Sequence, residues 1–109
     1  MRTAICAAAV GLMVSTLAVS LGSQTKPQTH TVTIEGMRFR PEVLSVASGD
    51  TIVWVNKDLV PHTVTSVAGS FDSKDIQADK SWSYTIRTKG DFAYICTLHP
   101  TMKATLRVN

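Results

Sequence analysis

Residues 51–67 read "TIVWVNKDLVPHTVTSV", and two patterns meet inside them. Thr51 to Asn56 is a β-branched run around Trp54, apolar on both faces, as suits a central buried strand. Beyond Val60-Pro61 the pattern becomes polar/apolar alternation, so His62 opens a new strand at the rim of a sheet. The same period of two recurs on either side. "HTVTIEG" (30–36) sets Val32 and Ile34 against Thr31, Thr33 and Glu35. "EVLSVASGD" (42–50) is a short strand after Pro41 that ends in a Ser-Gly-Asp turn, and "SWSYTI" (81–86) points Trp82, Tyr84 and Ile86 one way. "FAYIC" (92–96) and "KATLRVN" (103–109) complete the set, while "AGSFDSKDIQADK" (68–80) is the one long irregular connection. Outside the N-terminal segment no window carries a helical period. The pattern predicts an all-β chain, an antiparallel sandwich or barrel of about seven strands. Trp54, Trp82, Tyr84 and Tyr94 are expected in or near its core, with no redox role.

The first stretch, "MRTAICAAAVGLMVSTLAVSLGSQ" (1–24), is unlike the rest. Arg2 supplies a positive start, Ala4 to Leu21 carries no charge, and small residues close the run, as in a secretory signal peptide. Residues 1–23 are therefore expected to be a signal peptide, cleaved after Ser20 or after Ser23. Retention as a membrane anchor is the alternative, disfavoured by the dilution with Gly11, Ser15, Thr16 and Ser20. Residues 24–29 are expected to be a disordered leader and 30–109 the folded domain. The full chain of 109 residues has a formal net charge of +3, and loss of Arg2 lowers it by one. Its charges are interspersed, which argues against a nucleic-acid-binding stripe. Cys6 leaves with the signal segment, so Cys96 stands alone in an exported protein, where thiols are ordinarily paired or oxidised. No intramolecular disulfide and no C-x-x-C-H haem attachment can form. An unpaired exported cysteine in a domain this small points to metal ligation, which would also stabilise the folded state.

The C-terminal stretch "YICTLHPTMKATLRVN" (94–109) holds Cys96, His99 and Met102 three residues apart. Taken singly, each has an ordinary reading: a methionine is usually a core filler, as Met37 is expected to be, and a lone cysteine a small buried hydrophobe. Together they supply three members of the His₂Cys set with a weak axial Met that holds copper in blue-copper sites. A second histidine must come from elsewhere. His30 lies beside the leader, whereas His62 sits at a sheet rim that can face the turn after "FAYIC", so His62 is the better candidate. With four protein ligands no position remains open, unlike catalytic zinc. A cysteine nucleophile would need an orienting third group that this turn lacks. Structural zinc is disfavoured by the methionine.

These residues carry a resemblance to the small blue-copper proteins of the cupredoxin family (plastocyanin, pseudoazurin and amicyanin types). "YICTLHPTM" (94–102) is similar to the amicyanin and pseudoazurin ligand loop, C-x-x-H-x-x-M with a proline after the histidine. "GDTIVWVNKDLVPHTVTS" (49–66) resembles the family's upstream segment, and "GSFDS" (69–73) and "GDFAYIC" (90–96) also look like family segments. The resemblance implies a Greek-key β-sandwich and one type 1 copper ion, with His62, Cys96 and His99 as strong ligands and Met102 as the weak axial one. It implies that Asn56 hydrogen-bonds across to the ligand loop near Thr97. It also implies that His99 emerges through an apolar patch of Leu59, Val60, Leu98 and Pro100, where a redox partner docks. That partner would be a c-type cytochrome or a periplasmic or membrane oxidoreductase. The implied function is an exported, monomeric, non-enzymatic one-electron carrier. A copper-trafficking or storage module is the alternative, although the chain beyond residue 23 has only Met37 and Met102 and no methionine-rich tract. Pro61 stands where azurins carry a glycine whose carbonyl approaches copper, so no fifth ligand is expected. Thr101 and Ala104 depart from the family pattern.

Overall fold

A computed structural model describes residues 9–16 and 26–109. Residues 9–16 carry neither helix nor strand, and the cleavage points expected after Ser20 and Ser23 lie outside the described residues. Among the described residues no helix is long and apolar enough to cross a membrane. Eight strands follow: β1 Thr29–Ile34, β2 Phe39–Arg40, β3 Val43–Val46, β4 Thr51–Asn56, β5 Thr65–Ser66, β6 Ser81–Thr85, β7 Gly90–Ile95 and β8 Lys103–Val108. They form two four-stranded sheets, ordered β2-β1-β4-β6 and β3-β8-β7-β5. The all-β sandwich is as expected, but its sheets are mixed and not purely antiparallel. β1 runs parallel to β4, and β3 runs parallel to β8. The strand at 43–46 belongs to the sheet opposite β1 and β2, so consecutive strands of the sequence are not always paired neighbours.

β1 begins at Thr29, inside the expected leader, and Gln28 is also tied down: its N–H donates to Asp50 Oδ1 at 2.9 Å. The folded unit therefore starts a little earlier than the alternation alone suggested.

The core lies between the sheets. On β4, Ile52, Trp54 and Asn56 are buried, and Trp54 is flanked by Val32 on β1 and Trp82 on β6. The other sheet contributes Tyr94, whose ring meets Trp54 edge-on at 5.7 Å and 86°. Trp54 Nε1–H donates to Tyr94 Oη at 3.2 Å, so both polar tips are satisfied inside the core. Burial pushes the Tyr94 phenol up to about 12, against the opposing effect of the Trp54 hydrogen bond. Phe71 and Ile76, from the irregular 68–80 connection, are buried in the same core. Two isolated bridges, His62 with Ile76 and Thr65 with Asp72, seat that connection on the 62–66 segment.

Candidate metal centre

β7 ends at Ile95, and the chain turns twice before β8 begins at Lys103. The turn is closed by its own backbone. His99 N–H donates to Cys96 O at 3.3 Å, Met102 N–H to His99 O at 2.9 Å, and Cys96 N–H to Met102 O at 3.2 Å. Pro100 fits because its missing N–H is not needed in that pattern, and its fixed φ stiffens the loop. Cys96 and Met102 are buried, whereas Thr97, Leu98, Pro100 and Thr101 are exposed and His99 is half-buried. The opposite wall is the segment after β4. His62 is fully buried there, fixed by reciprocal backbone hydrogen bonds with Ile76 of 3.1 and 2.7 Å.

Three donor atoms converge. His62 Nδ1 and His99 Nδ1 each lie 3.7 Å from Cys96 Sγ. The donor atoms of the three residues all lie within 4.8 Å of one another, the only such group of three or more His, Cys, Asp or Glu among the described residues. A metal about 2.3 Å from a sulfur and about 2.0 Å from each nitrogen, near 120°, leaves sulfur and nitrogen roughly 3.7 Å apart. The separations here match that geometry. The donor set, two imidazoles and a thiol with a buried methionine in the same loop, is suited to copper in a His₂Cys-Met arrangement.

The surrounding groups fix the donors. Asp58 Oδ2 lies 2.9 Å from His62 Nε2. A carboxylate only accepts, so Nε2 carries the hydrogen, and in the neutral ring Nδ1 then presents its lone pair to the cluster. Burial raises the Asp58 carboxyl, but N–H donation from Met37 and Gly36 and the bond to His62 outweigh it and hold it below the usual carboxylate value. Asp58 thereby ties a candidate ligand to the β1–β2 turn. Cys96 Sγ accepts the Thr63 N–H at 3.3 Å. Thr63 Oγ1 in turn accepts the Thr97 N–H at 2.8 Å and lies 3.0 Å from Thr97 Oγ1.

The last contact corrects the role expected of Asn56. Its carboxamide does not bond Thr97: it donates to Val60 O at 2.8 Å and Ile76 O at 2.9 Å, and accepts from Asp58 N at 2.9 Å. Asn56 thus shapes the 57–62 loop, and Thr63 braces the ligand loop. Met37 is a second correction. With φ at 59° in the β1–β2 turn it is 41 % exposed instead of filling the core. It lines a groove of about 260 Å³ with Arg38, Thr101, Met102 and Lys103. Asp58 and Thr63 were not anticipated. The available signals were an acid four residues before His62 and a hydroxyl residue directly after it. His30, set aside in favour of His62, bonds Asp50 at 2.8 Å. Nothing in the structure explains Thr101, and Ala104 is a small buried residue paired with Tyr94.

The model of the cupredoxin-like domain family matches residues 4–108. This chain belongs to the cupredoxin family. It is 30% identical over 113 residues to amicyanin-alpha of Methylorubrum extorquens, covering 94% of this chain and 95% of that one. Amicyanin of Paracoccus denitrificans is 32% identical over 77 residues, which span 66% of this cupredoxin and 59% of the relative. Among solved structures, a Cu(I) form of an amicyanin variant superimposes with a TM-score of 0.71 at 29% identity, covering 74% of this chain and 82% of that one. A copper-containing nitrite reductase from Thermus scotoductus gives the same TM-score at 26% identity. There the match covers 78% of this cupredoxin but 23% of the reductase.

Proposed function

We propose that this cupredoxin is a type 1 blue-copper protein that carries single electrons between redox partners. The observation that carries the reading is the convergence of His62 Nδ1, His99 Nδ1 and Cys96 Sγ at separations that suit one metal ion. Met102 would complete the donor set with a weak thioether. Copper bound there supplies a Cu(I)/Cu(II) couple. The residues of the chain hold it: Asp58 sets the His62 tautomer, Thr63 N–H sits on the cysteine sulfur, and the self-bonded 96–102 loop resists rearrangement. Such stiffness would limit rearrangement of the donors on a change of oxidation state, which favours fast electron exchange. With four protein donors a bound copper would have no position left for a substrate, so the protein is assigned no enzymatic activity.

His99 is half-buried, and its neighbours in the loop, Leu98 and Pro100, are exposed. Leu59 is 94 % exposed, Leu98 45 % and Val60 42 %, with Pro100 also exposed. Exposed hydrophobes in the two loops that carry His62 and His99 suit docking of a redox partner. We assign Leu59, Val60, Leu98 and Pro100 to that face. A c-type cytochrome or a periplasmic or membrane oxidoreductase is the proposed partner, met by an exported, periplasmic monomer.

Voltammetry of the copper-loaded protein in the presence of a Cu(I) chelator tests this reading. A reversible one-electron couple that survives repeated cycling is expected. Loss of copper to the chelator at each reduction would instead indicate a trafficking or storage module.

A further inference from the structure

The Thr63 hydroxyl that braces the ligand loop is the inner end of a longer chain. Thr63 Oγ1 lies 3.0 Å from Thr65 Oγ1, and Thr65 Oγ1 donates to Asp72 Oδ1 at 3.2 Å. Asp72 is exposed and ordered by Lys74, whose backbone N–H and Nζ reach its two oxygens at 2.9 and 3.2 Å. The loop carrying it is pinned to the 62–66 segment. Val64 N–H donates to Ser73 Oγ at 2.7 Å, Ser73 N–H to Val64 O at 2.9 Å, and Ser66 N–H to Phe71 O at 2.9 Å. The Lys74 N–H is the main reason that the Asp72 carboxyl lies below its ordinary value.

Counting hydrogens gives the chain a direction. Each hydroxyl has one hydrogen to donate and two lone pairs to accept with, and a carboxylate has none to donate. Thr65 gives its hydrogen to Asp72, so its oxygen accepts from Thr63. Thr63 has then spent its only hydrogen, so its oxygen must accept whatever else it bonds. The two groups that face it are the Thr97 N–H and the Thr97 hydroxyl. Both Thr97 donors therefore point at one oxygen, whose lone pairs are enriched because its own hydrogen is drawn toward a negative charge. Chains of this kind strengthen each successive bond.

We propose that Asp72 and Thr65 are positioning residues for the metal centre: through Thr63 they orient a hydrogen-bond relay that holds the peptide following Cys96 from a surface carboxylate. The relay bypasses the ligands themselves, running from the irregular 68–80 connection across Thr65 to the ligand loop. Its meaning for electron transfer rests on the copper reading above, but its existence does not, because every contact belongs to the chain.

The test is amide hydrogen exchange and the ¹H shift of Thr97 in the metal-free full chain, followed by NMR. Asp72→Asn and Thr65→Val are expected to speed Thr97 exchange roughly two- to fivefold and to move its amide proton upfield. Thr65→Ser restores the hydroxyl and the wild-type values, and Asp75→Asn, an exposed acid outside the relay, changes neither. The backbone amide of Trp54 keeps its rate in all four variants. The proposal is overturned if Thr97 exchange is unmoved in Asp72→Asn and Thr65→Val. It is overturned equally if only Thr65→Val responds, since the carboxylate would then orient nothing. Acceleration of Trp54 by the same factor as Thr97 would also overturn it, by making the effect global.

Discussion

β4 has a histidine–aspartate pair at each end. Asp50 precedes the strand and bonds His30 at 2.8 Å; Asp58 follows it and bonds His62 at 2.9 Å. Both aspartates also accept two backbone N–H groups: those of Gln28 and Ala47 for Asp50, and those of Gly36 and Met37 for Asp58. The local chemistry is nearly the same, yet of the two only the second pair belongs to the candidate metal centre. His30 is 26 % exposed by side chain on β1, whereas His62 is fully buried with Nδ1 facing a thiol and a second imidazole. A His–Asp pair by itself is a clamp for the chain. It becomes part of a metal centre when the other ring nitrogen is aimed at further donors.

That contrast sets the largest expected effect. His62→Ala should weaken Cu(II) binding by more than about a hundredfold, beyond the usual loss on removing a ligand's supporting partner, whereas His30→Ala should leave it unchanged. Competition titration with a chelator measures both. Equal losses in the two variants would erase the distinction between the poles. Next in size is Asp58→Ala, which frees the His62 tautomer and should cost roughly 10- to 100-fold in copper affinity by the same titration. Asp50→Ala should leave affinity alone.

Effects on stability come next. Thr63→Val leaves the Thr97 amide without its partner and should destabilise by about 1–2 kcal/mol in chemical denaturation. The Asp50 pole should answer to acid instead. Its carboxyl is lowered from 3.8 to about 2, mainly by the Gln28 N–H and then by His30. A depressed carboxylate stabilises the fold above its unfolded value and loses that contribution as pH falls through the folded value. Unfolding free energy should therefore decline between pH 4 and pH 2, and Asp50→Asn should flatten that decline. Leu59→Ala is the smallest change: its side chain touches mostly water, so stability should move by less than about 0.5 kcal/mol. Stopped-flow electron transfer to a partner protein should nevertheless slow.

How much of this was legible in the sequence follows from which interactions are local. Cys96, His99 and Met102 share one short loop, so their spacing marks a candidate ligand set. His62 stands out where the alternation begins, although it forms an isolated bridge to Ile76 and β5 itself begins only at Thr65. Strands of period two gave the sandwich, but no periodicity distinguishes a parallel neighbour from an antiparallel one, and the β1–β4 and β3–β8 pairings were not foreseen. Asn56 was assigned its bond to Thr97 by resemblance. Its observed bond from Asp58 N–H is ordinary side-chain chemistry two residues along a turn. Thr63 could not be singled out, because a threonine in an alternating stretch of sequence looks like any β-former until the 96–102 loop is brought against it. Met37 was placed in the core by its residue type, and a left-handed turn put it outside.

The central claim is that His62, Cys96, His99 and Met102 hold one copper ion through a cysteine thiolate. The most direct test is the visible absorption and EPR spectrum of the metal-free protein titrated with Cu(II), with Cys96→Ser alongside. An intense blue thiolate-to-copper band with narrow copper hyperfine splitting should reach its maximum at one equivalent, vanish on reduction, and be absent from the serine variant. A colourless protein, or a weak tetragonal copper spectrum unchanged by Cys96→Ser, would contradict the claim.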